Sequence, residues 1–343
     1  MNPHSTQTFP HDLGSRAKEG QGRKPFAAIL AVTVSIASSV LLTTRRPRLF
    51  GSRLPQAALA AIAALGLAIG VNECTGRPVM FLRWSYVRFL FGLRRMGATW
   101  QVGDGREQAL AAYVCSRARR NDIDDVIRVI DEFCYTRSYL INIGDEKGKL
   151  LDRAVVAAQP HRLLELGTYC GYSALRIARA MPTDAVLYSI EFNPANAVVA
   201  RRIWDHAGIG ERIVVIVGTL GDDGTTLNIL GDKHQFASQT LDFVFIDHEK
   251  DEYLPDLHRI LDHEWLHPGS VVVADNVKYP GAPQYRAFMH SQEGLNWRTR
   301  EHPSHAEYQK IIKDVVLEST YLGRQGDAQS GQRANSPRSS TTE

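Results

Sequence analysis

The side chains best suited to chemistry stand at the ends of apolar runs. LDFVFID closes on Asp247, and SVVVADN closes on Asp275 and Asn276. Two carboxylates and a carboxamide are hard oxygen donors that suit Mg2+ better than zinc or copper, and three protein ligands leave about three octahedral positions for a bidentate substrate and a water. Taken singly, each also fits a turn former or cap at a strand end. Lys250 lies three residues beyond Asp247. Beside a divalent cation in a part-buried site its charged form is disfavoured, which suits it to general-base work. The plain alternative is a solvated surface lysine. His248 is the second candidate for the base, or else a structural histidine.

A second constellation runs from Arg162 to Glu191. Leu163 to Leu166 read as a buried strand, and Gly167 and Gly171 permit a turn that brings backbone amides close to a ligand. Ser173 to Met181 read as a helix stopped by Pro182. Glu191 lies about twenty residues beyond the turn, where dinucleotide-type folds place an acid on a ribose. The spacing is not G-x-G-x-x-G, so the turn alone fits tight packing equally well. Glu165, inside the strand, is costly to bury without hydrogen-bond donors. With Glu191 it suits a ligand with a hydroxylated sugar and a cationic tail, such as S-adenosylmethionine, better than a pyrophosphate.

These residues need a sheet to bring them together. LLELG, VLYSIE, IVVIVG, LDFVFID and SVVVADN alternate with helical runs, which predicts an α/β, doubly wound, mostly parallel sheet with ligands at the carboxyl ends of its strands. Residues 297–302 and 315–322 are expected to add antiparallel edge strands. Upstream, Gln108 to Arg119 and Asp124 to Cys134 have helical spacing.

The 343 residues, 44% of them hydrophobic, allow one good-sized domain plus extras. The first 100 residues hold 13 Lys/Arg against 3 Asp/Glu, and the rest 27 against 34. Because the basic residues flank apolar runs, the asymmetry points to a membrane-proximal anchor and away from nucleic acid. Residues 1–25 read as disordered and 26–100 as the anchor, with a span over 26–44, a possible second over 54–72 and an interfacial segment over 81–100. A helix packed on the catalytic domain is the alternative for that last segment. The domain proper covers 104–323, and 324–343 read as a disordered tail. Cys74, Cys115, Cys134 and Cys170 lack C-x-x-C spacing and read as reduced thiols.

LLELGTYCGYSALRIAR, SIEFNP, FIDHEKDEYLPD, VVVADNVKYPGAP and the upstream INIGDEKG follow the order, and nearly the spacing, of catechol O-methyltransferase, which the sequence resembles over most of 104–323. The resemblance implies a Rossmann-like, S-adenosylmethionine-dependent methyltransferase, and the amino-terminal run is similar to the membrane helix of its membrane-bound and transmembrane forms. It implies that Asp247, Asp275 and Asn276 hold Mg2+, that Lys250 is the base, and that Glu307, in HAEYQK, hydrogen-bonds the catechol. It also implies S-adenosylmethionine contacts at Ile143, Glu165, Gly167, Thr168, Tyr169, Ser173, Glu191 and Phe192, with Glu191 on the ribose hydroxyls and Pro280 as a wall of the catechol pocket. Glu249 and Tyr139 stand where the family usually has tryptophans, Ile141 replaces a methionine, and Leu220 and Gly221 replace a Ser-Gln pair. Those departures bear on substrate selection and cofactor affinity. The expectation is therefore Mg2+-dependent O-methylation of a small catechol by a membrane-anchored protein whose catalytic domain faces the cytosol. The rivals are a partner-binding or trafficking protein with a methyltransferase-like domain, and an O-methyltransferase for another vicinal dihydroxy aromatic.

Overall fold

The computed structural model describes residues 56–75 and 79–324. The chain divides into two units, one ending at Trp84 and one beginning at Ser85. In the first, helix α1 (Gln56–Cys74) carries most of the second uncharged run. It stops where the Asn72 side chain clasps the backbone of Val79, donating to its carbonyl and accepting from its N–H, each at 2.9 Å.

The membrane-anchored reading is corrected here: among the described residues no helix is long and apolar enough to cross a membrane. In α1 the apolar stretch from Ala57 to Val71 is mostly Ala and Gly and extends about 22 Å, short of the roughly 30 Å hydrocarbon core. The expected placement, membrane-anchored with a cytosol-facing domain, has no spanning helix among the described residues to rest on. Residues 1–25 and 26–44, and the tail beyond Arg324, lie outside the described residues.

Part of the segment expected at 81–100 packs as the alternative had it, on the domain. Within the second unit, the part of helix α2 (Trp84–Thr99) from Ser85 onward turns Tyr86 and Phe89 onto the Tyr139 ring, with centroids 5.4 and 5.1 Å away. The carbonyl of Ser85 accepts from the buried Arg106 guanidinium at 2.9 Å. Tyr86 and Phe89 are thus partners of the domain, while Phe91 of the same helix is 82% exposed.

Helices α3 (Arg106–Arg117), α4 (Ile123–Thr136) and α5 (Gly144–Ala158) precede the first strand. The remainder alternates: β1 (Arg162–Leu166), α6 (Tyr172–Ala180), β2 (Val186–Glu191), α7 (Pro194–Ala207), β3 (Ile213–Val217), the short α8 (Thr225–Asn228), β4 (Leu241–Ile246), α9 (Tyr253–Asp262), β5 (Leu266–Ala274), α10 (Pro283–Ser291), β6 (Trp297–His305) and β7 (Lys313–Tyr321). Local rules set many boundaries. In α7 the Asn193 side chain caps the Ala195 N–H at 2.9 Å, Pro194 opens the first turn, and Gly208 ends the helix at φ 75°.

The strands form one sheet of order β3-β2-β1-β4-β5-β7-β6, parallel except where β7 pairs. The five expected parallel strands are all present. The two carboxy-terminal strands are antiparallel as expected, but only β6 is an edge, because β7 inserts between it and β5. Strand residues alternate between two cores: Leu163, Leu187, Phe243 and Phe245 pack under the α3–α7 side, and Leu164, Ile190, Val244 and Ile246 under the α9–α10 side. Parallel register aligns Leu166 with both Ile190 and Ile246, and Ile246 with Ala274. The carboxyl ends of β1, β2, β4 and β5 are therefore level, and Gly167, Glu191, Asp247 and Asp275 stand along one rim. The rim includes the point where strand order reverses, between β1 and β4.

Candidate functional site

The turn after β1 is held by the acid that ends β2. Glu191 Oε2 accepts from the backbone N–H of Tyr169 at 2.8 Å and of Thr168 at 3.2 Å, while Oε1 accepts from Asn193 N at 2.8 Å and Asn196 Nδ2 at 3.3 Å. Gly167, at φ 99°, leaves no room for a side chain, since a Cβ would lie 2.3 Å from the carbonyl oxygen of Asp247. The turn and the metal-type rim are thus pressed together at a glycine. Gly171 answers to packing instead: a Cβ there would lie 2.4 Å from Trp204 Nε1, which donates to the Gly171 carbonyl at 3.0 Å. Gly171→Ala combines this overlap with a left-handed backbone (φ 79°) and is expected to cost roughly 2–3 kcal/mol, read as a lowered urea midpoint at unchanged m-value.

Glu165 is fully buried, and the donors its burial demands are present. Ser173 Oγ donates to Oε1 at 2.6 Å, and the Ser189 hydroxyl donates to Oε2. Burial still pushes the Glu165 carboxyl up to about 8, against the pull of the two serines. The native state therefore keeps a proton that the unfolded chain releases near 4.5, so stability falls as pH rises from about 4.5 to about 8. Glu165→Gln, whose amide both serines can satisfy, is expected to flatten the decline of the apo-protein Tm between pH 5 and 9. Parallel curves for the two proteins would exclude this.

Of the other expected contacts, Thr168 and Ser173 are buried, Tyr169 is partly buried, and Phe192 is 54% exposed beside Glu191. Ile143 lies in the core under α5.

At the other end of the rim, Asp247 Oδ1 and Asn276 Oδ1 accept from the same ammonium, Lys250 Nζ, at 3.0 and 3.3 Å. Lys250 also donates to Tyr253 Oη, which donates on to the Asp275 carbonyl at 3.0 Å. Asp275 Oδ1 accepts the Asn276 N–H at 2.8 Å, and its Oδ2 lies 2.8 Å from Lys147 Nζ, outside hydrogen-bonding geometry. Glu307 Oε1 accepts from Lys147 Nζ at 2.7 Å and Asn276 Nδ2 at 3.0 Å. His248 turns away from this group: Nε2 pairs with Asp256 at 2.9 Å and its ring stacks on Tyr253, which supports the structural alternative.

Electrostatics bear on whether a cation fits. Asp247, Asp275, Glu307 and Asp314 face Lys147 and Lys250, a formal excess of two negative charges. Burial, with Asp247, Glu307 and Asp314 alongside, pushes the Asp275 carboxyl up to about 8 against the pull of Lys147. Burial likewise raises Asp247. Glu307 goes the other way; against the upward push of burial, Lys147 and Asn276 hold it below its ordinary range. A cluster short of positive charge, with hard oxygens already sharing one ammonium, fits a divalent cation. Among the described residues no group of three or more His, Cys, Asp or Glu is arranged to hold a metal. The donor set at the rim has two carboxylates, completed by an amide oxygen.

An O-methyltransferase family profile matches residues 124–287. A probable O-methyltransferase of Mycobacterium tuberculosis is 59% identical over 232 residues, spanning 68% of this chain and 99% of the relative. The chain belongs to the O-methyltransferase family. Catechol O-methyltransferase B of Danio rerio is 40% identical over 218 residues, 64% of this chain and 80% of that protein, and catechol O-methyltransferase of Bos taurus is 33% identical over 264 residues, 74% and 94% respectively.

Three participants of this O-methyltransferase site escaped sequence reasoning. Lys147 reads as a solvated helix lysine in GDEKGK, yet it is 1% exposed. Asp314 reads as the polar start of a strand. Glu107, buried in α3, accepts from Tyr169 Oη at 3.0 Å and Val102 N at 3.1 Å and so braces the glycine turn from outside. The available signal was charge inside otherwise amphipathic stretches, which by itself does not separate burial from exposure.

Proposed function

We propose that this O-methyltransferase transfers the methyl group of S-adenosylmethionine to one hydroxyl of a catechol-type substrate, with Mg2+ as resident metal. The observation that carries the reading is the meeting of Asp247, Asn276 and Lys250 at one point, with Asp275 and Glu307 beside them and the Glu191 turn at the neighbouring strand ends. The two relatives named for catechol support the same substrate class.

In this reading Glu191 takes the ribose hydroxyls, and Glu165, Gly167, Thr168, Tyr169 and Ser173 form the rest of the donor's cradle, with Ile143 and Phe192 at its margins. Asp247, Asp275 and Asn276 would hold the metal, which when bound would supply Lewis-acid chemistry that makes a substrate hydroxyl more acidic. Lys250 Nζ, in its neutral form, takes the proton of the hydroxyl to be methylated. Glu307, kept ionised by Lys147, accepts from the second hydroxyl. The phenolic oxygen forms its bond to the methyl carbon as the sulfur–carbon bond breaks, the electron pair goes to sulfur, and the sulfonium loses its charge. Holding both reactants side by side supplies the proximity. Exposed Glu249 adds a carboxylate at the edge and favours amine-bearing catechols.

A substrate panel tests this. With S-adenosylmethionine and Mg2+, dopamine and dihydroxybenzoate are expected to give monomethylated products, dopamine faster, and a monohydroxy phenol none. Equal rates on catechol and phenol would sink the chelation reading.

A further inference from the structure

Behind the rim, an ion-pair cluster does work that the proposed methyl transfer leaves unassigned. Asp314, at the start of β7, and Lys147, in α5, are each 1% exposed. Asp314 Oδ1 accepts the Tyr279 N–H at 2.9 Å, while Oδ2 accepts from Asn276 Nδ2 at 2.9 Å and from Lys147 Nζ at 3.1 Å. Asn276 Nδ2 donates also to Glu307 Oε1 at 3.0 Å. Its Oδ1 faces the opposite way, toward Lys250. A carboxamide is nearly symmetric in shape, so its partners alone decide which end points where. Two carboxylates hold the NH2 of Asn276 inward and leave the carbonyl oxygen on the side of Asp247.

We propose that Asp314, charge-balanced by Lys147, is a positioning residue that keeps the oxygen end of Asn276 turned toward a divalent cation. The inference rests on the Mg2+ reading above. A hard cation takes the oxygen of an amide and not its NH2, so an Asn276 free to turn over would ligate for only part of the time. Lys147 makes the arrangement tenable: its ammonium lies within 3.1 Å of oxygens of Asp275, Glu307 and Asp314, acids that would otherwise repel one another.

The isosteric Asp314→Asn is the informative change. With its oxygen still on Tyr279 N, its new NH2 meets two donors, Asn276 Nδ2 and Lys147 Nζ. The clash with Asn276 is relieved when that amide turns over and presents NH2 to the cation, while Lys147 Nζ keeps its acceptor on Glu307. In an Asn276→Asp background there is no amide to turn, and a carboxylate accepts the new NH2.

The full chain, loaded with S-adenosylhomocysteine, is titrated with Mg2+ by calorimetry, and Tm and S-adenosylhomocysteine affinity are measured alongside. Asp314→Asn is expected to weaken Mg2+ binding by about 10–100-fold, with S-adenosylhomocysteine affinity retained. The same change made on Asn276→Asp is expected to alter Mg2+ affinity by less than about threefold. An unchanged Mg2+ affinity in Asp314→Asn overturns the inference, as does an equal loss in both backgrounds, which would mark a purely structural role. Should the single variant fail to fold, the comparison of Asn276→Asp with Asn276→Asp/Asp314→Asn decides, and a loss there overturns it too. Wild-type protein that binds no Mg2+ would instead remove the metal reading on which the inference stands.

Discussion

Lys250→Ala is expected to lower kcat by about 10²–10⁴-fold while S-adenosylmethionine binds as before. The two effects separate because Lys250 is tied to the β4–β5 side of the rim: its Nζ reaches Asp247, Asn276 and Tyr253, and none of the residues around the Glu191 turn. Removing the amine leaves the donor's cradle intact and deprives the hydroxyl of its proton acceptor. Loss of the Lys250 charge also leaves Asp247 Oδ1 and Asn276 Oδ1 without their shared donor, so the apo protein is expected to melt lower than wild type and to recover part of the difference in Mg2+. Single-turnover methylation together with cofactor titration checks both halves. Full turnover by the variant removes Lys250 from the chemistry.

Withdrawal of divalent cations is expected to abolish methylation altogether, with activity returning on addition of Mg2+ and, in part, of other hard dications. The charge distribution argues for a loss larger than that of a positioning defect. Four carboxyl groups face two ammonium groups at the rim, and burial, with the neighbouring acids, pushes the Asp275 carboxyl up against the pull of Lys147. A catechol arriving without a cation would bring two oxygens toward acids already short of positive charge. The measurement is product formation in EDTA against EDTA with excess Mg2+. Equal rates would show that the rim acids serve the fold and that Lys250 and Glu307 act without a metal.

How much of this was legible depended on whether a residue's neighbours lie close in sequence or far away. Strands β1 to β5 are covered on both faces and so read as short apolar runs, and acids at their ends stand out because nothing apolar follows them. Level strand ends then follow from parallel pairing, which is why Glu191, Asp247, Asp275 and Asn276 could be placed at one rim. The interior position of β7 was not legible, because its short apolar run, Val315 to Leu317, passes at once into the polar Glu318 to Thr320 and only pairing with β5 decides. Lys147 was hidden for a related reason. Its burial is made tolerable by Asp275, Glu307 and Asp314, which lie 128 to 167 positions away and say nothing locally. Gly171 suited an approach to a ligand until Trp204, from the next helix, filled the space. The aromatic and arginine pattern of 81–100 fits a lipid interface and a protein surface alike, and the Tyr139 ring settles the latter for Tyr86 and Phe89.

The insertion of β7 beside β5 also orders events during synthesis. Ala274, the last residue of β5, pairs with Leu317, and Asp314 reaches back from the same strand to the Asn276 that follows. A chain still being translated can stack its first five strands, but the β5 flank stays open and Asn276 lacks Asp314 as an inward acceptor until the next 38 residues have emerged. The rim around Asp247, Asp275 and Asn276 is thereby completed only after β7 has been made.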